Sequence, residues 1–381
     1  MIRLAILEPP GATANVVRLL ADDTGVFETV LVDSSTTPAK TISRDLALAA
    51  PEVILLEVGQ WPAVGSLLTQ LKGATKNAVI LGFRTAWKPE EQAAMEKAGI
   101  SGLLEIPFSA SELETAAHKA LHDLRPLRHP NILAFLPSKA GSGCSTVALN
   151  TAAALANQLE KRTLLIEADR RSGSLSMLLG VEGDGGLPAI VENCGRLAPM
   201  DWRQHVSTIG NLDMLLANPL QPGPQPTWAT FFQILDFAKD IYEYIVVDLP
   251  ELVNPATKEL VCAARNVFIV CEPEVASLKL VEARRSELEA AKVVPGKISV
   301  LGNRWEGRRL TRAALEKTHV PMYAAMPNDY AQIKNAALES RLVSRDSAFG
   351  RACLELARRV SSQQAPAEGR VRSLLRRFGK K

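Results

Sequence analysis

No apolar run in this chain of 381 residues approaches the roughly 18 residues that a membrane-spanning helix requires. The opening MIRLAILEPPG lacks the apolar stretch of a secretion signal, because Glu8 and Pro9 interrupt it. Cysteine is sparse. Cys144, Cys194, Cys262, Cys271 and Cys353 show neither paired metal-ligand spacing nor a small disulfide framework, so free thiols in a reducing compartment are expected. Excess charge is also lacking. The net value is +3, too small a field to draw the whole surface to nucleic acid or membrane. From these absences a cytoplasmic protein is expected. What is present is an apolar content of 47%, enough to build the cores of two or three domains of ordinary size.

Short apolar runs alternate with helical patterns along the chain. In residues 1–125, strands are expected at Arg3–Leu7, Thr29–Val32, Val53–Leu56, Ala78–Leu81 and Gly102–Leu104, with helices such as Pro89–Ala98 and Ser111–Leu124. Strands that are apolar without alternation belong in a parallel sheet covered on both faces. The prolines at 126 and 130 mark a linker. A second α/β series occupies residues 131–361. Its strands are expected at Ile132–Leu136, Thr163–Ile166, Leu212–Leu216, Tyr244–Val247, Val267–Val270 and Ile298–Leu301. Its helices are expected at Ser145–Leu159, Trp228–Lys239, Ala276–Ala291, Arg309–Lys317 and Phe349–Val360, and PLQPGPQP (Pro219–Pro226) at a stiff surface connection. Residues 362–381 read as a polar linker and a basic tail.

One further absence is chemical. SKAGSGCST (Ser138–Thr146) lies between an apolar strand and a helix, where a phosphate-binding loop belongs. Gly141 and Gly143 free the backbone N–H groups to close on phosphates, and Ser145 offers a hydroxyl to Mg²⁺. The lysine expected before Ser145 is Cys144, while Lys139 stands early in the loop. Cys144 at a helix start leaves two readings, a thiol of lowered pKa or a small residue filling space. Three strand ends follow in the order a P-loop ATPase requires. TLLIEADR (Thr163–Arg170) ends in Glu167 and Asp169, candidates to position Mg²⁺ or attacking water. YIVVDL (Tyr244–Leu249) ends in Asp248, a metal-holding candidate. ISVLGNR (Ile298–Arg304) presents Asn303, whose amide can both donate to and accept from an adenine edge, with Arg304 beside it. A rival reading takes Gly141–Thr146 as a dinucleotide fingerprint with Glu167 on a ribose. Against it, Thr146 stands where Gly or Ala is wanted, and Lys139, Asp248 and Asn303 go unexplained.

The loop, the Glu-Ala-Asp strand end, YEYIVVDLPE (Tyr242–Glu251) and VFIVCEPEVASL (Val267–Leu278) resemble the MinD/ParA deviant-Walker ATPases. The lysine-poor loop, the stretch EADRRSGSLSMLLG (Glu167–Gly180) and the five βα units in front resemble the TadZ/CpaE pilus-assembly branch. The resemblance implies two doubly wound α/β domains. The first, at 1–125, is receiver-like (flavodoxin-like); the second, at 131–361, is a MinD/ParA-type P-loop domain; a short tail ends the chain. It implies ATP and Mg²⁺ as cofactors. Lys139, Ala140, Gly141, Ser142, Gly143, Cys144, Ser145, Thr146, Asn303 and Arg304 would contact nucleotide, and Ser145, Asp248 and Asp169 the metal. Lys139 would reach across a homodimer to the partner's ATP and act with Asp169 in hydrolysis. Without the second lysine, transition-state charge is less well met, so turnover is slow or absent. Ala140 replaces a usual glycine, and Glu167 stands where aspartate is typical.

In a working receiver the third strand ends in a phosphoacceptor aspartate and the fifth in lysine. Here Glu57 and Ile106 hold those places, and the fourth strand ends at Gly82 without a hydroxyl. The first domain is therefore expected to dock or target rather than transfer phosphate. In the tail RVRSLLRRFGKK, Val371, Leu374, Leu375 and Phe378 share one helical face ringed by Arg and Lys. That pattern suits an anionic membrane surface, a partner protein or a solvated tail. Nucleic acid is disfavoured, since no other basic patch is visible. The resulting expectation is a dimeric localisation factor for pilus or secretion assembly, at a cell pole or inner membrane. The alternatives are a partitioning or positioning ATPase and a scaffold that binds no nucleotide.

Overall fold

The computed structural model describes residues 1–8, 12–33, 39–58, 63–75, 78–125, 131–181, 185–192, 199–221, 223–305 and 318–362. The chain divides into two compact units, Met1–Leu127 and Arg128–Glu192 with Leu197–Lys381. The expected helix at Arg309–Lys317 and the basic tail lie outside the described residues.

In the first unit the strands are β1 (Ile2–Glu8), β2 (Phe27–Asp33), β3 (Val53–Glu57), β4 (Val79–Arg84) and β5 (Gly102–Glu105). They form one parallel sheet of order β2-β1-β3-β4-β5, the flavodoxin-like order of doubly wound folds. The intervening helices are α1 (Ala12–Asp23), α2 (Ala39–Ala49), α3 (Ala63–Ala74), α4 (Pro89–Ala98) and α5 (Ala110–Leu124). The start of α5 follows from local chemistry. The Ser109 hydroxyl accepts from Glu112 N at 3.2 Å, while Glu112 Oε2 accepts from Ser109 N at 2.7 Å, a reciprocal capping box. Its Leu113, Ala117, Ala120 and Leu121 face inward at helical spacing.

The second unit carries β6 (Ile132–Pro137), β7 (Thr163–Glu167), β8 (Ser207–Ile209), β9 (Leu212–Leu215), β10 (Tyr244–Asp248), β11 (Asn266–Cys271), β12 (Ile298–Gly302) and β13 (Met322–Ala325). Its helices are α6 (Cys144–Asn157), α7 (Leu175–Leu178), α8 (Leu187–Glu192), α9 (Pro199–His205), α10 (Trp228–Ala238), α11 (Pro255–Ala263), α12 (Val275–Ala290), α13 (Tyr330–Leu338) and α14 (Ala348–Ser362). The sheet order is β13-β12-β11-β6-β10-β7-β9-β8. All pairs are parallel except β8 with β9, a hairpin at the edge. Every residue of β6, β7 and β10 is buried, as expected of central strands covered on both faces. β6 runs between β10 and β11, so the loop that follows it opens at the carboxyl ends of three neighbouring strands. Ligands of open α/β sheets bind at this edge. The core packs Phe135, Leu165, Val246 and Phe268 of the sheet against α6 and against Phe349, Leu356 and Val360 of α14.

Candidate functional site

The loop between β6 and α6 places Gly141 and Gly143 both at φ +80°, in the left-handed region. A Cβ at Gly141 would meet nothing within 4 Å, so backbone conformation alone accounts for that glycine. A Cβ at Gly143 would lie 2.2 Å from Asn303 Nδ2, so space accounts for this one as well. Asn303 donates through Nδ2 to the Ser142 carbonyl at 2.8 Å. A carbonyl can only accept, which fixes the amide's orientation and turns Oδ1 the other way. The sequence suggested an amide open for donating and accepting; the structure commits its nitrogen to the loop. Asn303 Oδ1, Ser142 Oγ and Asp248 Oδ1 are buried and have no hydrogen-bond partner among the described residues. Buried polar atoms of native proteins are ordinarily paired, so three such atoms at or following the carboxyl ends of β6, β10 and β12 mark a place built for a polar ligand.

Asp248, at the end of β10, is almost completely buried. Burial pushes its carboxyl up to about 7 against the hydrogen bond from Ser145; the charge of Glu167 raises it further, the Cys144 thiol opposes, and Asp169 adds a smaller upward push. Ser145 and Asp248 thus meet as two oxygen donors of the kind a hard divalent cation takes. The Cys144 thiol is buried and pushed well above its usual range, first by desolvation and then by the charge of Asp248. This overturns the reading of Cys144 as a thiol of lowered pKa and leaves the space-filling one. Thr146 is half-buried, and its carbonyl accepts from Asn150 Nδ2 at 2.9 Å.

Glu167 also departs from expectation. Its Oε1 accepts from Leu175 N at 2.8 Å and its Oε2 from Ala217 N at 2.9 Å, in full burial. Both oxygens are committed to backbone, so Glu167 pins the segments beside β7 and does not position water. Asp169 is half-buried. Its Oδ1 accepts from Arg171 N at 3.1 Å and Ser172 N at 2.9 Å, which shapes a turn while its charge bears on Asp248.

Lys139 is held within the chain. Its Nζ lies 3.1 Å from Glu272 Oε2 and 3.3 Å from Glu274 Oε2, and the bond to Glu272 is the main cause of its raised pKa. Arg304, at φ +51°, pairs with the other oxygen of Glu272. One residue on, the Ala140 N–H donates to Glu251 Oε2 at 3.0 Å. Glu251 is steadied by Arg284, whose side chain is 6% exposed and whose NH2 lies 3.2 Å from Glu251 Oε1. The same guanidinium donates Nε to the Ser138 carbonyl at 3.2 Å and pairs with both oxygens of Glu287 at 2.7 Å. Sequence reasoning assigned no role to Glu251, Glu272 or Arg284. The two acids follow strand ends in DLPE and CEPE and were open to notice there; Arg284, inside α12, carries no local signal.

No protein-family model matches the chain. It is 26% identical over 249 residues to the septum site-determining protein MinD of Synechocystis sp., covering 62% of this chain and 91% of that protein. It is 24% identical over 247 residues to MinD of Thermotoga maritima, covering 62% of this chain and 90% of that one. Among solved structures, a ParA family ATPase from Chlorobium tepidum superposes with a TM-score of 0.53 at 21% identity, covering 60% of this chain and 97% of that one, a likeness of fold. Over 62% of its length, the chain is homologous to the P-loop ATPases of the MinD/ParA family.

Proposed function

We propose that this protein binds ATP with Mg²⁺, dimerises around the nucleotide, and marks the place where a Tad/Flp-type pilus machine is assembled. The observation that carries the nucleotide reading is the group of buried, unpartnered polar atoms on Ser142, Asp248 and Asn303 around a loop with two left-handed glycines. These residues fit a magnesium nucleotide. Gly141, Gly143 and the start of α6 supply N–H donors to phosphates. Ser145 and Asp248 would hold the metal, with Asp169 beside them. Asn303 Oδ1 is an acceptor suited to the exocyclic amine of adenine, with Arg304 next to it. Bound Mg²⁺ would supply the positive charge that the missing lysine does not. Hydrolysis is slow or absent in this reading, because Cys144 brings no cation to the transition state.

The pilus-assembly part rests on the sequence resemblance of the loop, the Glu167–Gly180 stretch and the domain order. The first unit is read as a pseudo-receiver that docks or targets. Its strand order agrees with this reading, and Glu57, where a phosphoacceptor aspartate would stand, is an exposed side chain at the end of β3. Association with a membrane surface or pilus component is assigned to the basic tail.

The test is calorimetric titration with ATP and ADP in Mg²⁺, paired with light-scattering mass in each state. Micromolar ATP binding with a shift from monomer to dimer is expected, and Lys139→Ala should keep binding within about tenfold while abolishing the shift. No binding at millimolar ATP would reject the switch and leave a scaffold. Salt-sensitive, ATP-dependent binding to nonspecific DNA would replace pilus assembly by a partitioning role.

A further inference from the structure

We infer that Glu251 is a specificity residue of the phosphate loop: its carboxylate occupies the N–H that a terminal phosphate needs, and so biases the site toward diphosphate nucleotides. The inference rests on the nucleotide reading above. Its geometry is a single bond with a built support. Ala140 N donates to Glu251 Oε2 at 3.0 Å, at the strand end of the loop and next to Lys139. The first two phosphates of a nucleotide can be held by N–H groups where α6 begins, at Gly143 through Ser145. A third would extend back along the loop toward Ala140, where a carboxylate already takes the donor. Two anions cannot share one N–H, and the second meets like charge at contact distance.

The support shows why Glu251 stays there. Arg284 is nearly buried and grips Glu251 Oε1 from one side and the Ser138 carbonyl from the other. It therefore ties the loop's entrance and the Glu251 carboxylate to the same guanidinium. Lys139, which could attract a terminal phosphate, is meanwhile paired with Glu272 and Glu274. A triphosphate has to displace Glu251, whereas a diphosphate held at the helix start does not. The segment carrying Glu251 is a bend without regular structure between β10 and α11, with Leu252 beside it exposed, so displacement needs no helix or strand to move.

The test uses the full chain and two variants. Glu251→Ala removes the competing anion. Arg284 keeps both oxygens of Glu287 and the Ser138 carbonyl, so no buried cation is stranded and the fold should hold. Glu251→Gln keeps an acceptor but not the charge. Calorimetric titration of each form with Mg²⁺-ADP and with a non-hydrolysable Mg²⁺-triphosphate analogue gives a ratio of dissociation constants. Loss of one charge-assisted hydrogen bond to a competitor corresponds to roughly tenfold. Glu251→Ala should shift the ratio toward triphosphate by about that factor with ADP affinity nearly constant, and Glu251→Gln should shift it part of the way. If both nucleotides bind and neither variant changes the ratio, the role of Glu251 is refuted and the nucleotide site stands. If no form binds either nucleotide, the nucleotide reading fails and this inference falls with it. Binding of triphosphate by Glu251→Ala alone would support both.

Discussion

Asp248→Asn should stabilise the second unit at alkaline pH, and the size of the gain can be worked from its surroundings. Burial pushes the Asp248 carboxyl from an ordinary 3.8 up to about 7. An acid whose folded-state pKa lies above its unfolded value takes up a proton on folding. Its contribution favours the fold below pH 3.8 and is lost as pH rises through 7. Three units at about 1.4 kcal/mol each give about 4 kcal/mol of penalty once the group is ionised. Asparagine carries no such penalty, but its fit with Ser145 is poorer by about 1 kcal/mol. The net gain is about 2–4 kcal/mol at pH 8, or roughly 5–12 °C in Tm for a unit of this size. At pH 5 much of the parent's Asp248 is already protonated, so the gain should shrink by about 2–3 kcal/mol. Thermal unfolding in metal-free buffer at pH 5 and pH 8 measures this directly. An advantage that is absent, or the same at both pH values, would show that Asp248 is not a strained carboxyl and refute the argument. The same substitution should also remove the Mg²⁺-dependent part of nucleotide binding.

Two further outcomes separate conformational from steric effects and test the cysteines. Gly141→Ala should cost about 1–2 kcal/mol for its left-handed backbone alone, whereas Gly143→Ala should cost about 2–4 kcal/mol, because its Cβ also displaces the Asn303 amide. Equal losses in denaturant melts would contradict the packing described. Of Cys144, Cys262, Cys271 and Cys353, only Cys262 is exposed. Among these four, iodoacetamide at pH 8, read by peptide mass, should mark Cys262 first, and comparable labelling of Cys144 would overturn its assignment as a buried filler.

Much of the second unit's sheet could be read in advance because β6, β7, β10, β11 and β12 are unbroken apolar runs. Buried parallel strands require such runs, and the boundaries fell within a residue or two of expectation. β8 and β13 escaped. β8 is a three-residue edge strand and β13 is only half-buried along most of its length, so neither had to be apolar throughout. The short helices α7, α8 and α9 were missed for a related reason: four to seven residues cannot display a helical period. At the site, residue types at strand ends were legible, and Ser145 and Asp248 do meet. The partners were not. Glu167 looked like a metal-site acid because its spacing from Asp169 is suggestive, but the backbone N–H groups that claim it come from Leu175 and Ala217, the second of them 50 residues away. The hold of Glu251 on Ala140 spans 111 residues, and no local pattern encodes it.

Glu272 sits behind two cations, with its own side chain only 5% exposed. A carboxylate so deeply placed cannot afford to lose its only counter-charge, since a stranded buried ion destabilises by several kcal/mol. Here Arg304 neutralises one oxygen while Lys139 neutralises the other. Lys139 can therefore leave without stripping Glu272 of all counter-charge, although the buried Oε2 then loses its charged donor, a cost of about 1–3 kcal/mol. Arg304 is thus the fixed half of the arrangement, and Lys139 the half whose loss the anchor survives.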